Sequence, residues 1–523
     1  MKDLTKGSIT KLIFWFALPV FIGSLLQMTY NLVDTKIIGY VLGESSLAAV
    51  GSTNSVNTLV IGFLQGLTNG FAVIAAQFFG AGDTANFKRT VAGSFKYGIM
   101  ISAGLTVVVL IFLRPLLKVL NTPEDLLKEA YDYIFIIFAG MTILMLYNVC
   151  AALLRSIGDS FTPLIFLGIS VVLNIGGDLF FLKVIPMGVR GAAVATVLSQ
   201  LIALIACLIY SLKRYNILWI EKKDFKSDAS LCGKLMSTGC SMGFMSSLVS
   251  IGSVTLQSAI NSFGQDIILA HTTARRLSEL FMMMFGVLGT TMATFCGQNL
   301  GAGKYERIRK GILTSILMGW VWCVLCVITS YTIVPAFVKM LISSDNKNVI
   351  DTATLYLRVD SLLYFVTAMI TIIRNSLQGI GDRLTPIISS GIELAGKVVI
   401  TFTLVPLMGY WGVIVSEPIG DFCGRRSGGH GADLRLCQRR AVDPDAEARG
   451  AVLYPEAVRL SGDGLHQGGD LGGGDGRRIA ARVRPLCHSL YVGGAGGKMV
   501  PALAQGSRGR GKRRAAGRAR GCA

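Results

Sequence analysis

Two carboxylates, an amide and a hydroxyl stand inside otherwise apolar runs of this sequence: Asp34, Asn174, Asp178 and Thr196. Ionisable groups are costly in hydrocarbon, so each asks for a reason. Asn174 and Asp178 are four residues apart and share one face of any helix they belong to. Four oxygen-bearing side chains at one depth could hold a proton or a sodium ion. Sodium wants several hard oxygen ligands. A proton site wants a carboxylate that burial and a like-charged neighbour make easier to protonate. The plainer alternative is an interfacial Asp34–Lys36 pair with Asp178 at a helix end. Pro19 lies fifteen residues before Asp34, where a helix loses a hydrogen bond and is invited to kink. Either the helix tolerates it, or its bend changes with the charge on Asp34.

Those residues need helices that cross a bilayer. The 523 residues are 52% apolar and 15% charged, with mean hydropathy +0.57. A soluble domain carries about 25% charged residues, so an ordinary water-soluble enzyme is excluded. Apolar runs long enough for about 30 Å of hydrocarbon fall near 13–38, 46–73, 91–113, 128–154, 160–182, 191–212, 235–262, 266–294, 308–338, 349–379 and 384–405. A twelfth begins at Tyr410 and stops near Phe422. The backbone must satisfy itself inside lipid, and the strict alternation of a barrel strand is missing, so the runs read as helices.

Basic residues set the orientation. Lys2, Lys6 and Lys11 precede the first span, and Lys88, Arg155, Lys213, Lys304 and Arg383 sit in the connections after even-numbered spans. The N-terminus and these connections are therefore expected in the cytoplasm, with the four polar residues towards the outer half. The expected divisions are an N-terminal six-helix lobe over 1–212, a cytoplasmic linker over 213–234 and a C-terminal lobe over 235–422 with its last helix truncated. The lobes repeat one another. Gln77-Phe-Phe-Gly80-Ala-Gly82 returns as Gln298-Asn-Leu-Gly301-Ala-Gly303. Gly158-Asp159 with Thr162-Pro163 returns as Gly381-Asp382 with Thr385-Pro386, and Met187-Gly188 as Met408-Gly409. Offsets of 221 to 223 in one order predict an internal repeat. An even number of spans per copy makes the repeat parallel, with a pseudo-two-fold along the membrane normal and a cavity between the lobes.

The second copy is polar in other places. Gln257 answers Asp34, Lys397 answers Asn174 and Glu417 answers Thr196. Glu279, Arg358, Asp360 and Glu393 also fall in expected spans. Glu393 and Lys397, four apart, either neutralise each other or join Gln257, Glu279 and Glu417 in the wall of a substrate cavity. Met282-Met-Met284 with two flanking phenylalanines reads as an adaptable binding surface or as lipid-facing packing. Other chemistry finds little footing. Gly301-Ala-Gly-Lys304 lacks the leading Gly and following Ser/Thr of a P-loop, so it reads as a turn, and transport would be driven by an ion gradient. No zinc motif is present, and Cys323-Val-Leu-Cys326 lies in an apolar run. No nucleophile–base constellation supports an enzyme, and no organic cofactor is expected.

The doubled QxxGAG and GDxxTP motifs, the twelve spans and the N-lobe polar set resemble the multidrug and toxic compound extrusion (MATE) transporters over about residues 8–420. The resemblance implies an all-α polytopic fold of two six-helix lobes and export of amphiphilic, mostly cationic compounds by antiport with H+ or Na+. It implies that Asp34, Asn174, Asp178 and Thr196 bind the coupling cation and that Pro19 is the bending proline. It places the chain, as a monomer, in a prokaryotic cell membrane, with small-molecule and lipid contacts and no nucleic-acid partner. Two departures stand out: Gln257 replaces an acidic residue that some members carry, and Met242 answers Pro19. The alternatives are a lipid-linked saccharide flippase of the same superfamily and a non-functional truncated product. A flippase for anionic phosphates should line its cavity with Arg and Lys, which the N-lobe spans almost lack.

Residues 423–523 match nothing in that family. They hold 17 Arg against 2 Lys, with 22 Gly and 15 Ala, whereas residues 1–422 hold 12 Arg against 19 Lys. The change falls inside a span, where no domain boundary belongs. It reads as a frameshift near codons 420–424, or as a basic, disordered tail that could touch anionic lipid or nucleic acid.

Overall fold

In a computed structural model, residues 3–119, 122–226, 229–260, 263–342 and 346–414 are described. They hold fourteen α-helices and no strand. The N-terminal lobe comprises α1 (Ile9–Leu42), α2 (Glu44–Ser52), α3 (Asn54–Gly80), α4 (Thr84–Val119), α5 (Glu124–Ala139), α6 (Met141–Ser156), α7 (Phe161–Leu179) and α8 (Val189–Arg214). The C-terminal lobe comprises α9 (Ala229–Ile260), α10 (Gln265–Gly301), α11 (Tyr305–Thr332), α12 (Val334–Ile342), α13 (Lys347–Gly379) and α14 (Leu384–Met408). Ten are long and apolar enough to cross a membrane alone, and α5 with α6 makes an eleventh span bent by 46° at Gly140. The eleven complete spans expected from hydropathy are therefore present. Only Tyr410–Ile414 of the twelfth is described; Glu417 and residues 423–523 lie outside the described residues. Helix α9 starts at Ala229, so the connection after α8 is shorter than the hydropathy minimum implies, and it contains two short 3-10 turns.

The repeated motifs adopt the same geometry in both lobes. Gly158 and Gly381 have φ of +83° and +91°, where a side chain would be strained. The next residue caps the following helix. Asp159 Oδ1 accepts from the Phe161 and Thr162 amides (3.1 and 3.0 Å), and Asp382 Oδ1 from those of Leu384 and Thr385 (3.2 Å each). Capping of this kind satisfies amides that a helix start leaves bare. Asp159 has one extra donor, the Tyr215 hydroxyl at 2.6 Å.

The QxxGAG motif is more than the turn its glycines suggest. Gln77 and Gln298 belong to the last helical turns of α3 and α10, and those ends meet. A Cβ on Gly80 would overlap the Gln298 carbonyl, and one on Gly301 the Gln77 carbonyl. Gln77 Nε2 donates to the Gly379 carbonyl (3.0 Å) and Gln298 Nε2 to the Ser156 carbonyl (2.7 Å). The lobes are thus joined at the face bearing the basic connections, called the basic face below. Helix α3 packs against α9 through Gly66 and Gly70, which approach Gly243 and Gly239 at backbone distance. Small residues permit such contact in lipid, where close packing replaces the hydrophobic effect. Met242, at the position answering Pro19, is buried between Val73 and Ala293.

The N-terminal segment is clipped to the C-terminal lobe. Leu4 N–H donates to Gln298 Oε1 (3.0 Å), Arg307 donates to the Leu4 and Gly7 carbonyls (3.2 and 3.0 Å), and Lys304 Nζ to that of Thr5 (2.8 Å). Helix α1 continues this attachment, since Ile13, Phe16 and Ala17 pack with Leu288, Met292 and Phe295. Past Pro19 it gains a second partner: Gly23 faces Leu164 and Leu167 of α7, while Phe21 still meets Trp322 of α11.

Candidate functional site

Three helices deliver the four N-lobe polar residues to one place. Asp34 comes from α1, Asn174 and Asp178 from α7, and Thr196 from α8. All but Thr196 are buried, and Asp178 is fully so. The Asp34 and Asp178 carboxyls lie within hydrogen-bonding reach of each other. Asn174 ties the group together. With its amide turned to satisfy both atoms, the nitrogen donates to Asp178 Oδ2 (3.0 Å) and the oxygen accepts from the Thr196 N–H and hydroxyl (3.2 Å each). One oxygen on each acid, Asp34 Oδ1 and Asp178 Oδ1, is buried without a partner. The alternative Asp34–Lys36 pair does not form, because Lys36 is exposed while Asp34 is buried.

Two tyrosines join this group that sequence reading did not single out. The Tyr30 hydroxyl is 3.2 Å from Thr196 Oγ1. The buried Tyr133 of α5 lies within electrostatic reach of both carboxylates. A cavity of about 20 Å³ opens between Gln27, Tyr30, Asn174 and Gln200, enough for one water or small ion. Helix α7 changes to a π-turn over Phe180–Val184, directly after Asp178. Such turns often accompany functional sites, since they re-aim side chains and loosen the local ladder.

Helix α1 runs unbroken through Pro19. Pro19 lies where α1 takes on a second partner. Up to and just past it α1 packs on the C-terminal lobe, where Phe21 meets Trp322 of α11 edge-on, and from Gly23 it also faces α7, which carries Asn174 and Asp178. A change of axis at Pro19 therefore moves Asp34 relative to the C-terminal lobe.

The C-terminal lobe organises its charges otherwise. Glu393 of α14 is buried with both oxygens engaged: Oε2 accepts from Arg374 NH2 (2.7 Å) and Oε1 from Lys397 Nζ (2.8 Å). Asp360 Oδ2 accepts from the Ser278 and Tyr364 hydroxyls, both at 2.9 Å. Glu393, Arg374, Lys397, Asp360 and Tyr364 line a cavity of about 360 Å³ between α9, α10, α13 and α14. Of the expected cavity residues, Glu393 and Lys397 line it. Gln257 and Glu279 do not; the Glu279 side chain is 61% exposed and pairs with Arg275 at 3.7 Å. Arg374, which holds Glu393 from α13, escaped sequence reading because its partner is nineteen residues away on another helix. Arg358 stacks on Tyr331, its guanidinium 5.1 Å from the ring centre.

A family model described as MatE matches the chain twice, over residues 19–180 and 242–403. The chain is 27% identical over 427 residues to the probable multidrug resistance protein YoeA of Bacillus subtilis, covering 78% of this chain and 90% of that protein. It is 23% identical over 422 residues to the multidrug export protein MepA of Staphylococcus aureus, covering 80% and 92%. Among solved structures it is similar to an outward-facing multidrug resistance MATE family transporter of the MOP superfamily. The TM-score is 0.77 at 23% identity, over 84% of this chain and 97% of that one.

Proposed function

We propose an ion-coupled export mechanism for this chain, which belongs to the MatE family. It is a multi-span membrane transporter, and its relatives support a multidrug efflux role rather than an enzymatic one. The finer reading is antiport of amphiphilic, mostly cationic compounds against H+ or Na+. One observation carries it: Asp34 and Asp178 are buried side by side, each with an oxygen that no partner among the described residues satisfies. Two like charges there need a proton or a metal cation between them. Asp34, Asp178, the Asn174 carbonyl and the Thr196 hydroxyl would hold a sodium ion; for a proton the two acids suffice.

The basic connections support a cytoplasmic N-terminus. The lobes are joined at that face, so in this reading a cargo cleft between them would open on the outer side. Entry of the ion then neutralises the pair and relaxes α1 about Pro19. Because α1 spans both lobes, that motion reaches the cargo cleft. A positively charged cargo and the coupling ion compete for the same negative charge, which supplies the exchange. The protein acts as a monomer in the cell membrane of a prokaryote.

The test is drug-driven exchange in proteoliposomes, first under a pH gradient and then under a Na+ gradient. Asp178→Asn is expected to abolish exchange with the protein still folded, and the gradient that drives the wild type names the ion. Undiminished exchange in the variant would sink the assignment. The relatives match about four-fifths of the chain, the share left when 423–523 are set aside, as a frameshift or an appended tail would each give; the change of composition inside a span favours the frameshift. Resequencing codons 405–450 decides it: a second frame that continues the twelfth span upholds the reading, and its absence overturns it.

A further inference from the structure

We propose that the connection between α8 and α9 is a docking surface for anionic phospholipid of the leaflet at the basic face. None of its residues belongs to the ion site or to the C-lobe cavity, so it is independent of the cargo and the coupling ion. The connection is held against the N-terminal lobe. The Tyr215 hydroxyl donates to Asp159 Oδ2 (2.6 Å), Leu218 is buried, and Ile217 and Ile220 pack on the lobe's core. Its free side carries two aromatic rings, with Trp219 58% and Phe225 45% exposed. The other four tryptophans all sit in helices; Trp219 alone stands in a connection. The connection starts just after Arg214, where the span of α8 ends. That is the headgroup level, at which tryptophan is enriched.

The charge around the rings is positive. Lys213, Arg214, Lys222, Lys223 and Lys226 are all exposed. The two acids of the connection are already engaged: Glu221 pairs with Lys223 at 2.8 Å, and the buried Asp224 accepts from the Glu221 amide at 2.8 Å. The other four cations form no ion pair among the described residues. Headgroup phosphates would accept from them while the rings enter the boundary between headgroup and acyl chain. A soluble acidic partner would use the lysines and leave both rings in water, so the pairing of rings with cations favours lipid.

The experiment places the full chain in phosphatidylcholine nanodiscs holding a minority of phosphatidylglycerol, with one lipid or the other brominated in its acyl chains. Bromine quenches nearby tryptophan, and the difference between the chain and Trp219→Phe isolates Trp219. Phosphatidylglycerol is expected beside Trp219 about fivefold more often than its share of the bilayer, the worth of one cation near an anionic surface. Lys222→Gln with Lys226→Gln should bring it back to about that share. Arg309→Gln with Lys310→Gln removes the same charge from exposed positions on α11 and should leave the enrichment intact. Free glycerol phosphate in the buffer should leave it intact as well. Absence of quenching by either lipid would give the surface to a soluble partner and overturn the proposal. So would quenching in proportion to the bilayer's composition, an equal fall in both double variants, enrichment unchanged in the first, or competition by glycerol phosphate.

Discussion

The two lobes share turns, caps and helix order, yet their buried acids live differently. In the N-terminal lobe Asp34 and Asp178 each keep an unsatisfied oxygen. In the C-terminal lobe Glu393 is held by two cations and Asp360 by two hydroxyls. At the repeat positions of Asp34 and Asp178 the second lobe has Gln257 and Thr401. The scaffold is duplicated and the chemistry is not. An acid already satisfied by the protein has little to offer an ion, whereas an unsatisfied pair must find one.

That contrast can be broken most sharply by neutralising one acid in each lobe. Asp178→Asn should lower ion-driven exchange by at least about a hundredfold, equivalent to about 2.8 kcal/mol. Glu393→Gln should lower it by less than about threefold, or about 0.7 kcal/mol. Equal losses would mean that both lobes couple. Next come the touching helix ends. Gly80→Ala and Gly301→Ala put a Cβ into a carbonyl of the opposite lobe and should each cost the joined state about 1–3 kcal/mol. Increased labelling of a cysteine placed at the basic face would register it, and no change would remove these ends from the gate. The glutamines should differ from each other. Gln298→Ala, which loses bonds to both Ser156 and Leu4, should cost about 2 kcal/mol, against about 1 kcal/mol for Gln77→Ala with its single described bond. The smallest effect belongs to Tyr215→Phe, which removes the extra donor on Asp159 that Asp382 lacks. It should cost about 0.5–1 kcal/mol in thermal unfolding, and a larger loss would show that the two turns are not equivalent.

The span count and the repeat were legible because lipid tolerates few sequences. A run of some twenty apolar residues has one reading, and matched glycines at offset 221–223 have one explanation. The family model's two matches begin 223 residues apart, on the same register. The N-lobe group was legible because acids in apolar runs are outliers. Tyr30 and Tyr133 were not, since tyrosines in spans are ordinary until a hydroxyl is seen beside a carboxylate. Arg374 was not singled out. Its meaning lies in Glu393 across the cavity, a relation that spacing along one helix cannot express. The QxxGAG glutamines were visible as a motif but not as a bond between lobes, since their acceptors are 302 and 142 residues away.

The crossed glutamine bonds have a consequence for the protein's ancestry. Under the repeat, Gln77 maps to Gln298 and Ser156 to Gly379. The bond from 77 to 379 is therefore the image of the bond from 298 to 156. A contact in which i meets j and j meets i is isologous, the signature of a closed two-fold dimer. A polypeptide of half this length would display both donor and acceptor on one surface. Two copies would complete each other with nothing left over, and gene fusion would then make permanent an association that had depended on concentration.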